Sequence, residues 1–222
     1  MSLTRNSFES NVQPGSENFE ALSPQDRIRI AINRHSRLCP GDALAFSSSF
    51  GIQSAVLLHM MKEIAPDLPV IFIDTHHLHP ETYLYKEELT KALNLDVRTY
   101  SCPMNAEDQE RVFGKPENMD EEALKTYRLR NKILPMNKAV RDLDATGWIS
   151  GLRRDQKDSR AERDFIEITD GGITKYYPIL DMSAKDIYYY IKRHHLPRHP
   201  LWELGATAVG DYFEPVFEKD KQ

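Results

Sequence analysis

Cysteine is almost missing from this sequence, with Cys39 and Cys102 the two examples in 222 residues. Two thiols can supply neither a disulfide framework nor the four ligands of an iron–sulfur cluster. Long apolar runs are missing as well, so no segment reads as a membrane span, and MSLTRNSFESNVQPGSENFE has no signal-peptide core. That opening favours a cytoplasmic protein. Positive charge is not in excess either: the net charge of −5 argues against a general nucleic-acid binder while permitting a local basic pocket. Neither G-x-x-x-x-G-K-[ST] nor G-x-G-x-x-G occurs, so the two common phosphate fingerprints are absent. His76, His77 and His79 lie close together, but in a loop such residues are more often polar edges than ligands, and no metal site is expected.

What is present is organised around residues 43–64, ALAFSSSFGIQSAVLLHMMKEI. The run from Ala43 to Phe46 reads as a short buried strand, and from Ile52 the apolar residues Ala55, Val56, Met60 and Ile64 recur at helical spacing. A turn of Ser47, Ser48, Ser49, Phe50 and Gly51 then sits at a helix N-terminus. There unpaired N–H groups and the helix dipole favour an anion, the hydroxyls add donors without bulk, and glycine allows close approach. Serines before a helix also serve as plain caps; three together after a strand favour an anion site.

The remaining pattern alternates strands and helices. Ser23-Pro24 reads as a cap and first-turn proline, opening a helix with Ile28, Ala31 and Ile32 on one face. VIFID at 70–74 is the continuous apolar run of a strand covered on both faces. Asp74, at its C-terminal end, suits either a ligand contact or a cap on the turn at Thr75. A helix after His79-Pro80 and a strand VRTY at 97–100 follow. Right-handed crossovers make these three strands parallel, with the serine turn on their C-terminal edge. Residues 101–130 have no legible role, Lys132–Leu143 resumes a helical face, and TGWIS at 146–150 reads as a fourth buried strand. Directly after it, GLRRDQKDSRAER sets Arg153, Arg154, Lys157, Arg160 and Arg163 against acidic residues. A charge run is ordinarily a solvated face, but one beginning with Gly151 at a strand end can turn guanidinium groups onto an anion. FIEIT and ITKYYPI, joined by Asp170-Gly171-Gly172, form a hairpin, and Ser183 caps a helix carrying Tyr188, Tyr189 and Tyr190, which cannot share one face. The fold class expected is α/β: a doubly wound, mainly parallel sheet with helices on both faces. Residues 1–22 are expected as an arm, 23–211 as the domain that carries the anion site and 212–222 as a tail.

SSSFGIQSAVLLHM, IDTHHLHPETY, NKILPMNKAV, GLRRDQKDSR and HPLWELGATAVGD occur in that order between residues 47 and 211, within a resemblance that runs from about residue 25 to 211. Together they resemble the phosphoadenylyl-sulfate (PAPS) reductase family of the adenine-nucleotide α-hydrolase-like (PP-loop) superfamily. The resemblance implies PAPS or a related adenine nucleotide as substrate, with Ser47 to Gly51 as the modified PP-loop. It also implies Asp74 and Thr75 near the nucleotide, with His76 where the family turn has glycine. Lys132 would lie by the phosphosulfate, and Gly151 to Arg160 would form the arginine loop. The reaction it implies is thiolate attack on sulfur and release of sulfite by thioredoxin or glutaredoxin, in a protein able to form a homodimer. The iron–sulfur relatives carry a cysteine pair where Tyr127 and Arg128 stand, so no cluster and no bound cofactor are implied.

The family's nucleophilic cysteine belongs to a C-terminal Glu-Cys-Gly-Leu-His-like segment, and none occurs in the sequence through Gln222. Cys39 precedes the central strand and belongs about 17–20 Å from the ligand edge. Cys102 follows an outermost strand on the ligand edge without a neighbouring cation, a poor substitute. Three readings follow: a PAPS reductase relative, a catalytically silent nucleotide binder, and an adenylyl-transferring or hydrolysing enzyme on the same scaffold.

Overall fold

The computed structural model describes residues 18–35, 43–156 and 160–214. Cys39 and Lys157 lie outside them. Among the described residues the strands are β1 (Ala43–Ser47), β2 (Val70–Asp74), β3 (Val97–Ser101), β4 (Ala145–Ser150), β5 (Ile166–Ile168) and β6 (Thr174–Tyr176). They form one sheet in the order β3-β2-β1-β4-β6-β5, parallel except for the antiparallel β5–β6 hairpin.

Among the described residues four helices cover one face: α1 (Pro24–His35), α2 (Ala55–Ile64), α3 (Pro80–Leu93) and, later in the chain, the capped helix Ala184–Arg193. Their buried residues Ile28, Val56, Leu58, Tyr85, Leu89 and Ile187 meet Phe46, Phe72 and Ile149 from the strands. Alternate strand residues Ala45 and Ile71 point the other way, against Met136 and Ala139. VIFID is thus apolar throughout because both faces of β2 are covered.

The chain walks outward through β1, α2, β2, α3 and β3, with both crossovers on one face. It then runs through α4 (Ala106–Phe113), α5 (Glu121–Arg128) and α6 (Leu134–Asp142), and re-enters on the far side of β1 as β4. For the crossover to stay right-handed, α6 must use the opposite face. The strand order therefore reverses between β1 and β4, and such a switch point is where open α/β sheets bind ligands.

Local chemistry explains the helix ends. Ser23 Oγ accepts from Asp26 N at 3.1 Å, and Ser183 with Asp186 forms a reciprocal capping box at the start of α7 (Ala184–Arg193). Asn94, at φ 48°, closes α3 in the left-handed region. Two boundaries differ from expectation. Helix α2 begins at Ala55 rather than Ile52, because Phe50, at φ 49°, turns the chain and Ser54 N bonds Gly51 O at 3.0 Å. The helical face expected from Lys132 starts as a π-helical turn, Leu129–Ile133, ahead of α6. Pro135 has no N–H for the carbonyl four residues back, and its ring presses on that carbonyl, so the ladder widens there.

The short helix α8 (Pro200–Glu203) is capped by His199, which is fully buried. Its Nδ1 accepts from Leu201 N at 3.2 Å, so Nε2 carries the proton and donates to Thr82 Oγ1 at 3.1 Å. Burial pushes its pKa from 6.5 down to about 4. Below the unfolded value the unfolded chain takes up a proton that the native state refuses. Stability is therefore expected to fall from pH 6.5 to 4 and to level off below that, by about 3 kcal/mol from this group. Asn can supply the same cap acceptor without titrating. Urea unfolding at pH 7 and pH 4 should show wild type losing about 3 kcal/mol more than His199→Asn; equal losses would remove His199 as the cause.

Candidate functional site

At the switch point Ser47 and Ser150 end β1 and β4 in register. Trp148 Nε1 donates to Ser47 Oγ at 2.7 Å, and Phe50 N donates to Ser48 Oγ at 3.1 Å. Ser48 N in turn donates to Ile71 O at 3.0 Å, tying the turn to β2. A hydroxyl that accepts in this way still has its own proton to give a ligand. Ser49 is exposed, and Phe50 is buried edge-on against Phe72 with ring centres 5.5 Å apart. The serines stand before the Phe50–Ser54 turn, several residues ahead of α2, so their hydroxyls and the turn's own N–H groups matter more to an anion than the α2 dipole. A β-carbon on Gly51 would stand 3.4 Å from both Ser49 Oγ and Val209 O, a tight fit.

The end of β2 is tied down by side chains. Asp74 Oδ1 accepts from His76 N at 2.8 Å and from Tyr83 OH at 2.7 Å, and burial together with that carboxylate raises the Tyr83 pKa. His76 takes φ 63°, a conformation that favours glycine, and its Nε2 donates to Cys102 O at 3.1 Å. Thr75 Oγ1 donates to Asp211 Oδ1 at 2.5 Å, and Lys132 Nζ lies 2.8 Å from Asp211 Oδ2 and 3.7 Å from Glu214 Oε1. Lys132 lies within the π-helical turn Leu129–Ile133. Asp211 is fully buried, and its backbone bridges Leu78. Around it pack buried His77, whose Nδ1–H donates to Thr75 O at 2.9 Å, and Tyr127, whose pKa burial and Asp211 push up.

The segment after β4 opens with Gly151, 3.5 Å from Leu57 at its β-carbon position. Its guanidinium groups bond partners other than the serines. Arg153, 3% exposed, donates to Met182 O at 2.9 Å, meets Asp155 at 3.1 Å and hydrogen-bonds Gln53, which follows the serine turn. Burial lowers its pKa, against Asp155 and Asp186. Arg154 donates to Arg163 O and Glu20 and lies over the Phe165 ring, while Arg160 bonds Gln156. The geometry thus joins Ser47–Gly51 to Arg153 through Gln53, and separately joins Thr75 to Lys132 through Asp211.

Residues 43–216 match the phosphoadenosine phosphosulfate reductase domain. The chain belongs to that family. Over 193 residues it is 43% identical to phosphoadenosine 5'-phosphosulfate reductase of Vibrio vulnificus, covering 87% of this chain and 72% of that one. The crystal structure of the Candida auris PAPS reductase, a phosphate complex, superposes with a TM-score of 0.75 at 25% identity, covering 90% of this chain and 93% of that one. A Candida glabrata FMN adenylyltransferase, 16% identical with a TM-score of 0.55 over 91% of this chain and 68% of that one, shares the fold.

For a PAPS reductase family member, the residues missed in the sequence are Gln53, Asp211 and Glu214. Gln53 looks like one more polar residue, and Asp211 was visible only as the end of the family motif HPLWELGATAVGD. A carboxylate that must meet Thr75 and Lys132 from across the chain leaves no local periodicity to find. Cys102, the free cysteine among the described residues, is buried behind His76 at the end of the edge strand β3.

Proposed function

We propose that the chain binds an adenylated sulfate of the PAPS type along the C-terminal ends of β1, β2 and β4 in the cytoplasm, and that its reduction to sulfite with thioredoxin or glutaredoxin takes a nucleophilic thiolate other than the buried Cys102. The observation that carries this reading is the pairing of Ser47 with Ser150 at the β1/β4 switch point, beside a serine turn whose hydroxyls retain their protons. Ser47 to Gly51 hold the phosphate or sulfate end, Asp74 and Thr75 shape the nucleotide side, Lys132 supplies positive charge, and the 151–160 segment braces the serine turn through Arg153 and Gln53. No resident cofactor takes part. An iron–sulfur cluster has no ligands at Tyr127 and Arg128, and Tyr127 is packed between His77 and Phe213. Among the described residues no helix is long and apolar enough to cross a membrane.

Calorimetric titration with adenosine 3′,5′-bisphosphate tests the binding step. A hydrogen bond to a charged group contributes about 1.5–3 kcal/mol, so Ser48→Ala/Ser49→Ala is expected to weaken binding by at least about tenfold. Unchanged affinity in the double variant removes the serine turn from the site. Cys102→Ser is expected to leave affinity and any thioredoxin-dependent sulfite release as they are; loss of that release alone would make Cys102 the nucleophile.

A further inference from the structure

Lys132 meets two carboxylates, and the two are held very differently. Asp211 is fully buried, accepts from Thr75 and has its backbone bridged to Leu78, so it cannot leave without opening the end of β2. Glu214 closes a tight turn, its N–H on Asp211 O at 2.9 Å, and its side chain is 38% exposed. The turn itself is anchored. Tyr212 N donates to His77 O at 2.7 Å, Tyr212 OH reaches Glu110 and Glu117, and Phe213 sets its ring 5.3 Å from Tyr127. The Glu214 side chain folds back over Gly210 so closely that a β-carbon there would stand 2.0 Å from its Oε2. A β-carbon at 210 would push that flexible carboxylate aside, and without one the side chain folds back toward the ammonium.

The charge arithmetic at this corner is simple. One lysine faces Asp211 and Glu214, so the local sum is one negative charge, with Glu110 and Glu117 further along the Tyr212 side. An anion arriving at Lys132 is repelled unless a carboxylate leaves, and only Glu214 is free to swing into water. We propose that Glu214 determines which anions the Lys132 corner accepts. It acts as a tethered counter-ion, standing where an anionic oxygen of a ligand would stand. Weakly held monoanions are kept out, while a sulfate or phosphate group anchored elsewhere, as on the serine turn, displaces it. The inference rests on the anion-site reading above and adds a residue to it that the serine, aspartate and arginine motifs do not contain.

The test uses the full chain, with inorganic sulfate and adenosine 3′,5′-bisphosphate as probes at constant ionic strength. Glu214→Gln removes the charge and keeps the shape; Gly210→Ala pushes the carboxylate aside without altering it. Because a partly exposed ion pair is weak, each variant is expected to lower the sulfate concentration for half-maximal thermal stabilisation by about threefold to fivefold. The gain should shrink as sodium chloride is raised, and Lys132→Met/Glu214→Gln should show none relative to Lys132→Met. Should Gly210→Ala fail to fold, Glu214→Gln with the lysine cycle decides alone. Wild-type sulfate response in Glu214→Gln, or a gain that survives removal of Lys132, overturns the inference. If the nucleotide does not bind wild type while the sulfate gain appears as expected, the PAPS-type reading falls and Glu214 keeps its role. If the nucleotide binds but sulfate response is unaltered by Glu214→Gln, the reverse holds.

Discussion

Arg27→Ala is expected to unfold about 3 kcal/mol more easily than wild type, a large part of the stability of a domain this size. Arg27 is 2% exposed on α1, and its guanidinium forks onto Asp181 at 2.6 and 2.8 Å. It also donates to Phe19 O at 2.8 Å and Pro178 O at 2.9 Å, and lies 3.9 Å from the centre of the Phe165 ring. One side chain therefore fastens α1 to the segment before α1 and to the chain on both sides of the hairpin. Truncation takes the Arg27 donor from Pro178 O, leaves Phe19 O with Leu22 N alone, and empties the space beneath Phe165. The cost falls at the lower end of the range for breaking a buried pair because Asp181, 37% exposed, can rehydrate. Arg27→Lys keeps the charge but offers no planar fork, so it should recover less than half of the loss. Urea denaturation of the three proteins measures this, and a loss under about 1 kcal/mol for Arg27→Ala would show that the contacts are incidental.

Arg153→Met is expected to lower both stability and nucleotide affinity, stability by about 2–3 kcal/mol and affinity by about tenfold. The reason is position rather than direct charge. The guanidinium joins Gln53, at the far end of the serine turn, to Asp155 and to Met182 O, just before the Ser183 cap. Without it the turn loses its tether to the segment after β4. A single ammonium cannot span three acceptors in this geometry, so Arg153→Lys should rescue poorly. Gln53→Leu separates the two effects: it should reproduce most of the affinity loss while sparing the Asp155 and Met182 contacts. Calorimetry decides this, and an Arg153→Met protein that binds like wild type would reduce the arginine to a fold residue.

Much of the architecture was legible because it is written in local patterns. VIFID is continuously apolar since β2 is covered on both faces; Ser23-Pro24 and Ser183 start helices because their hydroxyls satisfy N–H groups a turn away. Asp170-Gly171-Gly172 marked the hairpin, with Gly172 at φ 78°. The parallel sheet followed from crossover handedness, and its C-terminal edge followed from the sheet. Where reading failed locally, backbone geometry intervened: Phe50 and not Gly51 takes the left-handed turn that delays α2, and Pro135 opens a π-helical turn within an apparently regular helical face.

The sequence by itself determined the alternating α/β order, the parallel edge and the serine turn, since each depends on contacts spanning a few residues or on chain handedness. Only the tertiary structure decided the direction of the charged groups. Arg153 turns inward to Gln53 and Met182 although it sits in a run that reads as a solvated or ligand-facing surface. Lys132 meets Asp211 across 79 residues and Glu214 across 82. A buried charge settles against whichever opposite charge or carbonyl the packed elements bring within about 3–4 Å, because leaving it unpaired costs several kcal/mol. That partner is chosen by the meeting of distant elements, and no spacing along the chain records it.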